Sequence, residues 1–274
     1  MFVRIWGARG SVPTPGPTTL RYGGNTLCIE VQCGSHTLIL DGGSGLRGLG
    51  TSLAGAALNA DILLSHTHLD HVCGLPFFRP MFDRHSHLRF WGGHLAPPEG
   101  IETALLRAWQ APLMPDLQKE FRAQISYHDF RPGDRLTPHP DLTVDTIGLR
   151  HPGGAVGYRI AWAGANLCYI TDTEHLAAGP DPALARFVGG ADAMIYDASY
   201  TDEEYAARVG WGHSTWRAGV ALADAAGVGT LILFHHEPSH DDAMMDTIAQ
   251  DVARQRPGSL VAAEGMELTL PGKP

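Results

Sequence analysis

Short apolar runs recur along the chain, and glycine or polar residues follow most of them. The runs have the length typical of buried β-strands, and many are rich in leucine, isoleucine and valine. The pattern predicts strands over 2–6, 26–32, 36–40, 61–65, 88–91, 142–149, 157–162, 167–170, 193–196 and 230–234.

Longer stretches between these strands predict helices over 51–60, 102–109, 214–226 and 241–255. Ser214 is the expected N-cap of the third helix, and Gly227 follows its end. Each half of the chain begins with strands and ends with helices, which favours two sheets packed between helical layers. Prolines and aromatic residues obscure the pattern at about 76–141, so we expect one domain over 1–274 with an elaboration there.

Composition narrows the class of protein. Hydrophobic residues make up 44% and charged residues 18%, as in ordinary globular enzymes. The formal charge of −9 argues against a broad basic surface for nucleic acid. The opening residues lack an apolar signal segment, no apolar run is long enough to span a bilayer, and the four cysteines have no zinc-knuckle spacing. We therefore expect a cytoplasmic protein with reduced thiols.

The strongest chemical signal is the sequence Ser-His-Thr-His-Leu-Asp-His at 65–71, directly after a predicted buried strand. In extended backbone, His66 and His68 point to the same side and can bind one metal ion. Asp70 and His71 come from the turn beyond and can reach a second ion. The alternative is a polar loop with solvated histidines, but four metal-competent side chains in six residues are rarely accidental.

One motif does not fill two coordination spheres, so more ligands are expected at later strand ends. His151, Asp172 and His235 each follow a predicted strand. Taken singly, each could be an ordinary surface or turn residue. Because all three follow strands and come after the first cluster, we predict that they are the remaining ligands. His236 stays open as an alternative to His235.

The order of these residues resembles the metallo-β-lactamase superfamily, from Trp6-Gly7 to the stretch ending at His236. The resemblance implies a four-layer αββα sandwich of the α/β (α+β) class. It also implies that His66, His68 and His151 hold one metal and that Asp70, His71 and His235 hold the other. Asp172 would bridge the two ions, and Asp41 would orient a ligand.

The implied ligand set favours two divalent ions per chain, with zinc or manganese preferred and iron as an alternative. Two such ions carry +4 and two carboxylates carry −2, which leaves about +2 before water binds. That balance favours a bridging hydroxide and an anionic substrate.

A second motif, Gly212-His213-Ser214-Thr215, precedes a predicted helix and is similar to the phosphodiesterase branch of the superfamily. That branch includes tRNase Z and the phosphoribosyl cyclic phosphate phosphodiesterases. The resemblance implies that His213 protonates the leaving oxygen and that Asp197 supports it. Asp70 completes the candidate catalytic residues. The alternatives are a histidine that merely begins a helix and a solvated turn aspartate.

Three other parts of the sequence are candidates for supporting roles. Arg9 or Arg21 is a candidate contact for a phosphate oxygen, and Asn25 is a candidate neighbour of the metals. Glu174 and His175 are either partners of the ligands or exposed.

These observations lead to an expected function: a phosphodiesterase in which a metal-bound hydroxide attacks a small anionic phosphoester, with a cyclic phosphoester among the candidates. We expect a small-molecule substrate, no membrane, no broad nucleic-acid surface and, because relatives often pair, a homodimer. The alternatives are a thioester or lactone hydrolase of the glyoxalase II or lactonase type, and a non-catalytic binding member of the superfamily. The ligand set argues against the last, since a scaffold has no need of a buried charged cluster.

Overall fold

The computed structural model describes residues 1–95 and 97–272, and its strands form two seven-stranded sheets. The strands are β1 (Phe2–Gly7), β2 (Cys28–Cys33), β3 (His36–Leu40), β4 (Asn59–Leu64), β5 (His87–Gly92), β6 (Gln124–Asp129), β7 (Arg135–His139), β8 (Leu142–Leu149), β9 (Ala155–Trp162), β10 (Ala165–Ile170), β11 (Ala193–Asp197), β12 (Thr230–Phe234), β13 (Leu260–Val261) and β14 (Glu267–Thr269).

Helices lie along the connections between these strands. They are α1 (Leu46–Ser52), α2 (Leu69–Val72), α3 (Ile101–Ala108), α4 (Pro182–Val188), α5 (Asp202–Tyr205), α6 (Trp216–Ala225) and α7 (Asp242–Gln255), with 3₁₀ turns at Leu75–Phe77, Arg79–Phe82 and Leu117–Lys119. None of the helices within the described residues is long and apolar enough to cross a membrane.

The two sheets share one plan. The first has the order β14-β1-β2-β3-β4-β5-β6 and the second has the order β13-β12-β11-β10-β9-β8-β7. In each sheet, one half is antiparallel and the other is parallel: β3 to β6 run parallel in the first, and β10 to β13 do so in the second. The carboxyl ends of parallel strands meet at one edge, where loops can bring side chains together.

Apolar side chains form three layers of core. The central layer joins the two sheets and includes Ile5, Leu40, Tyr158 and Ile232. A second layer lies beneath α4, α6 and α7, and a third lies beneath α1 and α3. The predicted four-layer αββα sandwich is therefore confirmed. Burial of the sheet faces and helix faces drives this arrangement, since apolar area removed from water is the dominant favourable contribution to folding.

Most predicted strands match the observed ones to within two residues, and 36–40, 142–149 and 230–234 match at both ends. The helix predicted at 51–60 is wrong, because α1 ends at Ser52 and the chain then turns through Ala54 and Gly55 at positive φ. Ser214 is not the N-cap of α6. The Thr215 side chain takes that role by accepting a hydrogen bond from the Ala218 amide.

The segment 76–141 contributes to both sheets. It supplies β5 and β6 to the edge of the first sheet and β7 to the edge of the second. Sequence patterns missed β6 and β7, as well as the two-residue strand β13 and the three-residue strand β14. The assignment of 1–274 to a single domain with an elaboration at 76–141 stays a prediction.

Candidate metal centre and active site

The predicted ligands lie at the ends of strands, where the two sheets meet. Asp41 directly follows β3, and His235 directly follows β12. Asp172 comes two residues after β10. All three have left-handed backbone, with φ of 58° for Asp41, 54° for Asp172 and 61° for His235. Residues other than glycine are rarely found there, and such strain concentrates at functional sites.

One group of candidate ligands is open to solvent, and we call it the open group. It consists of His66, His68 and His151, whose ligand atoms lie within 4.8 Å of one another. His68 Nδ1 is 3.1 Å from His151 Nε2. His66 is buried, His151 is half-buried and His68 is exposed.

A second group consists of Asp70, His71 and His235, and we call it the buried group because all three residues are buried. The Nε2 atoms of His71 and His235 each lie 3.4 Å from Asp70 Oδ2. Burial alone would raise the pKa of Asp70, but His71 and His235 outweigh this effect and hold it well below its usual range.

Asp172 lies between the two groups. Its Oδ1 is 3.3 Å from His235 Nε2 and 3.8 Å from His66 Nε2, and its Oδ2 is 3.3 Å from His71 Nε2. Each oxygen therefore faces the buried group, while Oδ1 also faces the open group. Burial would raise the pKa of Asp172, but the surrounding histidines lower it well below its usual range.

The geometry fits metal ions. The Nε2 atoms of His66, His71 and His235 are buried and have no hydrogen-bond partner, which is costly unless something else satisfies them. Ligands about 2.0–2.1 Å from a tetrahedral ion are roughly 3.4 Å apart. The separations of 3.3–3.4 Å in the buried group and at Asp172 have this value. These residues can therefore hold divalent ions.

Hydrogen bonds on the far side of the imidazole rings fix the orientation of the ligands. His71 Nδ1 is 2.9 Å from Oδ2 of Asp41, the aspartate for which the family resemblance implied an orienting role. Asp41 is itself held by the Tyr169 hydroxyl at 2.6 Å and the Ser65 amide at 2.7 Å. Such partners set the ring tautomer and raise the basicity of the ligand.

The other rings are held in the same way. His235 Nδ1 is 2.8 Å from Ser199 Oγ, and His151 Nδ1 is 2.9 Å from the Gly212 carbonyl oxygen. A Cβ atom on Gly10 would lie 2.1 Å from His235 Cε1, so only glycine fits there. His236 lies elsewhere, because its Nε2 is 2.8 Å from the Ala262 carbonyl oxygen. Of the two adjacent histidines, His235 is the one in the cluster.

His213 and Asp197 form a pair beside the candidate ligands. His213 Nδ1 is 2.9 Å from Asp197 Oδ2, and the His213 ring centroid is 4.6 Å from that of His235 and 5.1 Å from that of His151. Asp197 is fully buried, and Ser199 donates to its Oδ1. Burial would raise the pKa of Asp197, but His213 lowers it below its usual value.

Glu174 fixes the loop before His213. Its carboxylate accepts hydrogen bonds from the Gly210 amide at 2.8 Å, the Gly212 amide at 3.2 Å and the Tyr205 hydroxyl at 2.7 Å. The sequence left open whether Glu174 contacts the site, and the structure makes it a support of the His213 loop. His175 contributes as well, with its Nδ1 2.9 Å from Ser214 Oγ.

The candidate phosphate contacts at the N-terminus do not face the site. Arg9 is fully buried, and its guanidinium donates to the carbonyl oxygens of Gly23 and His240. Arg21 pairs with Asp242 and Asp246. Asn25 is held by Glu264 and Ser44. No sequence pattern indicated Ser199 or Tyr169, because small hydroxyl residues and core tyrosines are common everywhere.

Comparison with known proteins identifies the family. Residues 37–236 match the model of the β-lactamase superfamily domain. The chain belongs to the metallo-β-lactamase superfamily. It is 34% identical to the ribonuclease Z of Exiguobacterium sp. strain ATCC BAA-1283 / AT1b, over 90% of this chain and 94% of that protein. The family and this relative make it a metal-dependent hydrolase.

Two solved structures have the same fold. The human tRNase Z, short form, superposes with a TM-score of 0.71 at 18% identity, covering 99% of this chain and 100% of that one. A diphosphatase from the PhnP family superposes with a TM-score of 0.72 at 17% identity, covering 98% of each chain.

The relatives correct one expectation. A small-molecule substrate and the lack of a nucleic-acid surface are contradicted, because the relative with 34% identity is a ribonuclease, an enzyme that acts on RNA. The expectation rested on the chain's formal charge of −9. Net charge averages over the whole surface, whereas divalent ions and nearby cations set the potential inside a cleft.

Proposed function

We propose that this protein is a phosphodiesterase that cleaves RNA with the help of two divalent metal ions. The observation that carries the proposal is the convergence of three unpartnered, buried Nε2 atoms on Asp172, next to the His213–Asp197 pair. Phosphoryl transfer needs this combination, since charge develops on the phosphate oxygens while the leaving oxygen needs a proton.

The ligand assignment follows the two groups. His66, His68 and His151 would hold one ion, Asp70, His71 and His235 would hold the other, and the Asp172 carboxylate would serve both. When bound, such ions polarise the phosphoryl oxygens and lower the pKa of a bound water. The nitrogen and carboxylate donors, without a cysteine, suit zinc or manganese, with iron as a further candidate.

The chain's own residues supply the proton and its control. When His213 is protonated, its Nδ1–H donates to Asp197 and its Nε2–H is free to be donated to the leaving oxygen. The buried carboxylate of Asp197 stabilises the imidazolium and fixes the ring's orientation. Asp70, grouped with the catalytic residues in the sequence, acts here as a ligand whose Oδ2 also accepts a hydrogen bond of 2.7 Å from the Ser11 amide.

RNA as the substrate draws support from the relative and from the rim of the site. Trp211 is 61% exposed and lies two residues before His213. Its neighbours Gly210 and Gly212 are both fixed by Glu174. An exposed aromatic ring on a rigid loop is a platform on which an unpaired base can stack.

The test is cleavage of two substrates by metal-loaded protein: an RNA oligonucleotide and bis(p-nitrophenyl) phosphate. We expect Asp172→Ala to abolish turnover of both. His213→Ala should impair RNA cleavage far more than hydrolysis of the nitrophenyl ester, because p-nitrophenolate leaves without a proton whereas a ribose oxygen needs one.

Two results would overturn parts of the proposal. Protein that binds two ions but turns over neither substrate would remove the phosphodiesterase assignment and make thioesters and lactones the next substrates to assay. Turnover of the nitrophenyl ester but of no RNA, structured or unstructured, would retain the chemistry and reject the substrate.

A further inference from the structure

A groove leads away from the open group of ligands. It begins at a cavity of about 430 Å³ that touches His151 and Pro152. A second cavity of about 510 Å³ continues it between α4 and α6. Both are bordered by the same six residues: Arg150, Glu174, His175, Leu176, Ala177 and Tyr205. The two cavities therefore lie next to each other, and the first of them touches the candidate ligand His151.

The charged groups around this space have hydrogen-bond or ion-pair partners, with one exception among the described residues. Glu174 is bonded to Gly210, Gly212 and Tyr205, and Asp181 caps α4. Asp202 pairs with Arg217 at 3.1 Å. Arg150 is exposed, and its guanidinium has no hydrogen bond, ion pair or ring contact with any other described residue. Of the charged side chains that line both cavities, Glu174 is held by neutral donors, and only the Arg150 guanidinium is left without a partner within the described residues.

The backbone of Arg150 is fixed. Its amide is 3.4 Å from Thr173 Oγ1, and its carbonyl oxygen accepts a hydrogen bond of 2.9 Å from the Glu174 amide. It is the residue before the candidate ligand His151. Its side chain therefore starts from a fixed point beside a candidate ligand, and the planar fork of its guanidinium suits the oxygens of a phosphate next to the one being cleaved.

The rest of the space suits a planar base. The rings of His175 and Tyr205 lie beside each other at 4.3 Å and border both cavities. Beyond them the floor is apolar, with Ile147, Leu184 and Leu222. Cavities of several hundred Å³ with an apolar wall and a few polar groups are typical of small-ligand and nucleotide subsites.

We infer that this groove binds the nucleotide adjacent to the scissile phosphodiester, with its phosphate on Arg150 and its base in the cavity between α4 and α6. The inference rests on the proposed RNA-cleaving function. It adds a subsite that selects an unpaired nucleotide, since a base within a duplex cannot enter the cavity.

Two variants test it, with RNA and bis(p-nitrophenyl) phosphate assayed in parallel. Arg150→Ala removes the cation, and Ala221→Trp fills the cavity from α6. The matched controls are Arg186→Ala, an exposed arginine that lines neither cavity, and Ala225→Trp, an exposed alanine on the same helix that lines neither cavity. Thermal unfolding confirms that each variant is folded.

We expect Arg150→Ala to raise KM for RNA by roughly tenfold or more, as for loss of a hydrogen bond to a charged group. Ala221→Trp should raise KM similarly, and both variants should hydrolyse the nitrophenyl ester at the wild-type rate. Unchanged RNA cleavage in Ala221→Trp would overturn the proposal, even if Arg150→Ala is impaired, because it would leave the cavity unused. Wild-type protein that cleaves the ester but no RNA would instead reject the proposed substrate.

Discussion

The two groups of candidate ligands have the same number of residues but differ in their surroundings. The buried group of Asp70, His71 and His235 is closed off from solvent, whereas the open group includes the exposed His68. In the buried group, both imidazoles have fixed partners on the far side, Asp41 for His71 and Ser199 for His235. The buried group is therefore preorganised by the fold, whereas the open group has one ligand, His68, that is exposed to solvent.

This difference predicts unequal metal binding. A preorganised set of ligands loses little conformational freedom when an ion binds, and its hydrogen-bonded partners raise ligand basicity. His68 lacks such support, because its Nδ1 faces His151 and the structure gives its other ring nitrogen no hydrogen bond. We therefore expect a chelator to remove the ion of the open group first.

The largest expected effect comes from breaking the buried group. His71→Ala should abolish turnover and reduce bound metal by at least one ion per chain, since it removes a ligand and leaves Asp172 and Asp70 without their fixed neighbour. His68→Ala should lose metal only from the open group, and excess metal should restore part of its activity. Elemental analysis of bound metal and turnover measured at rising metal concentration compare the two variants.

Equal metal loss and equal recovery in the two variants would contradict the distinction between the groups. Asp70 offers a further check, because Asp70→Ala should resemble His71→Ala rather than His68→Ala. Thermal unfolding of each metal-free variant separates loss of a ligand from loss of the fold.

The second prediction concerns a residue that contacts neither group as a ligand. His213→Ala should lower the rate of RNA cleavage by about 10²–10⁴-fold, the usual contribution of a positioned acid, with metal content unchanged. Asp197→Asn should reproduce much of this loss, since an amide does not stabilise the imidazolium. A His213→Ala variant that loses metal would show that this histidine is a ligand instead.

The third prediction concerns Asp41, which contacts the His71 ring on the side away from the other ligands of the buried group. Asp41→Asn keeps the size of the side chain but removes the charge facing His71 Nδ1. We expect metal affinity to fall by about 10–100-fold, as when other partners of ligating histidines are changed. Metal competition against a coloured chelator measures it. A loss of metal affinity at the open group alone would mean that Asp41 does not act through His71.

Local sequence revealed the first cluster because its spacing is short. His66 and His68 come from the loop after β4 and Asp70 and His71 from the helix α2 that follows, so local geometry alone places the four near one another. His151, Asp172 and His235 are far apart in sequence, and only the position of each after a strand, together with the family resemblance, indicated that they belong with the cluster. The sandwich brings them together because their strands end at the same edge.

Contacts between residues that are far apart in sequence were not predicted, because they leave no local sequence pattern. Ser199 and Tyr169 look like any turn serine and any core tyrosine, and their roles depend on which strands lie side by side. The edge strands β6 and β7 were missed because the 76–141 segment lacks clear alternation. The prediction of a small-molecule substrate was wrong for another reason: the net charge of the whole chain was used to judge the electrostatic potential of one cleft.

The smallest expected effect is at the rim of the open group, where Trp211 precedes the glycine whose carbonyl oxygen meets His151. Replacing an aromatic side chain on which a base stacks weakens binding by about 1–3 kcal/mol per base. Trp211 is exposed and covers a base only partly, so we expect the loss in Trp211→Ala to be near the lower value. KM for RNA should therefore rise several-fold while hydrolysis of bis(p-nitrophenyl) phosphate is unchanged, and Trp211→Phe should restore most of the affinity. Equal loss of activity on RNA and on the nitrophenyl ester would mean that Trp211 supports the His213 loop rather than stacking on a base. Trp211 would then act through the His213–Asp197 pair and not at the rim of the open group.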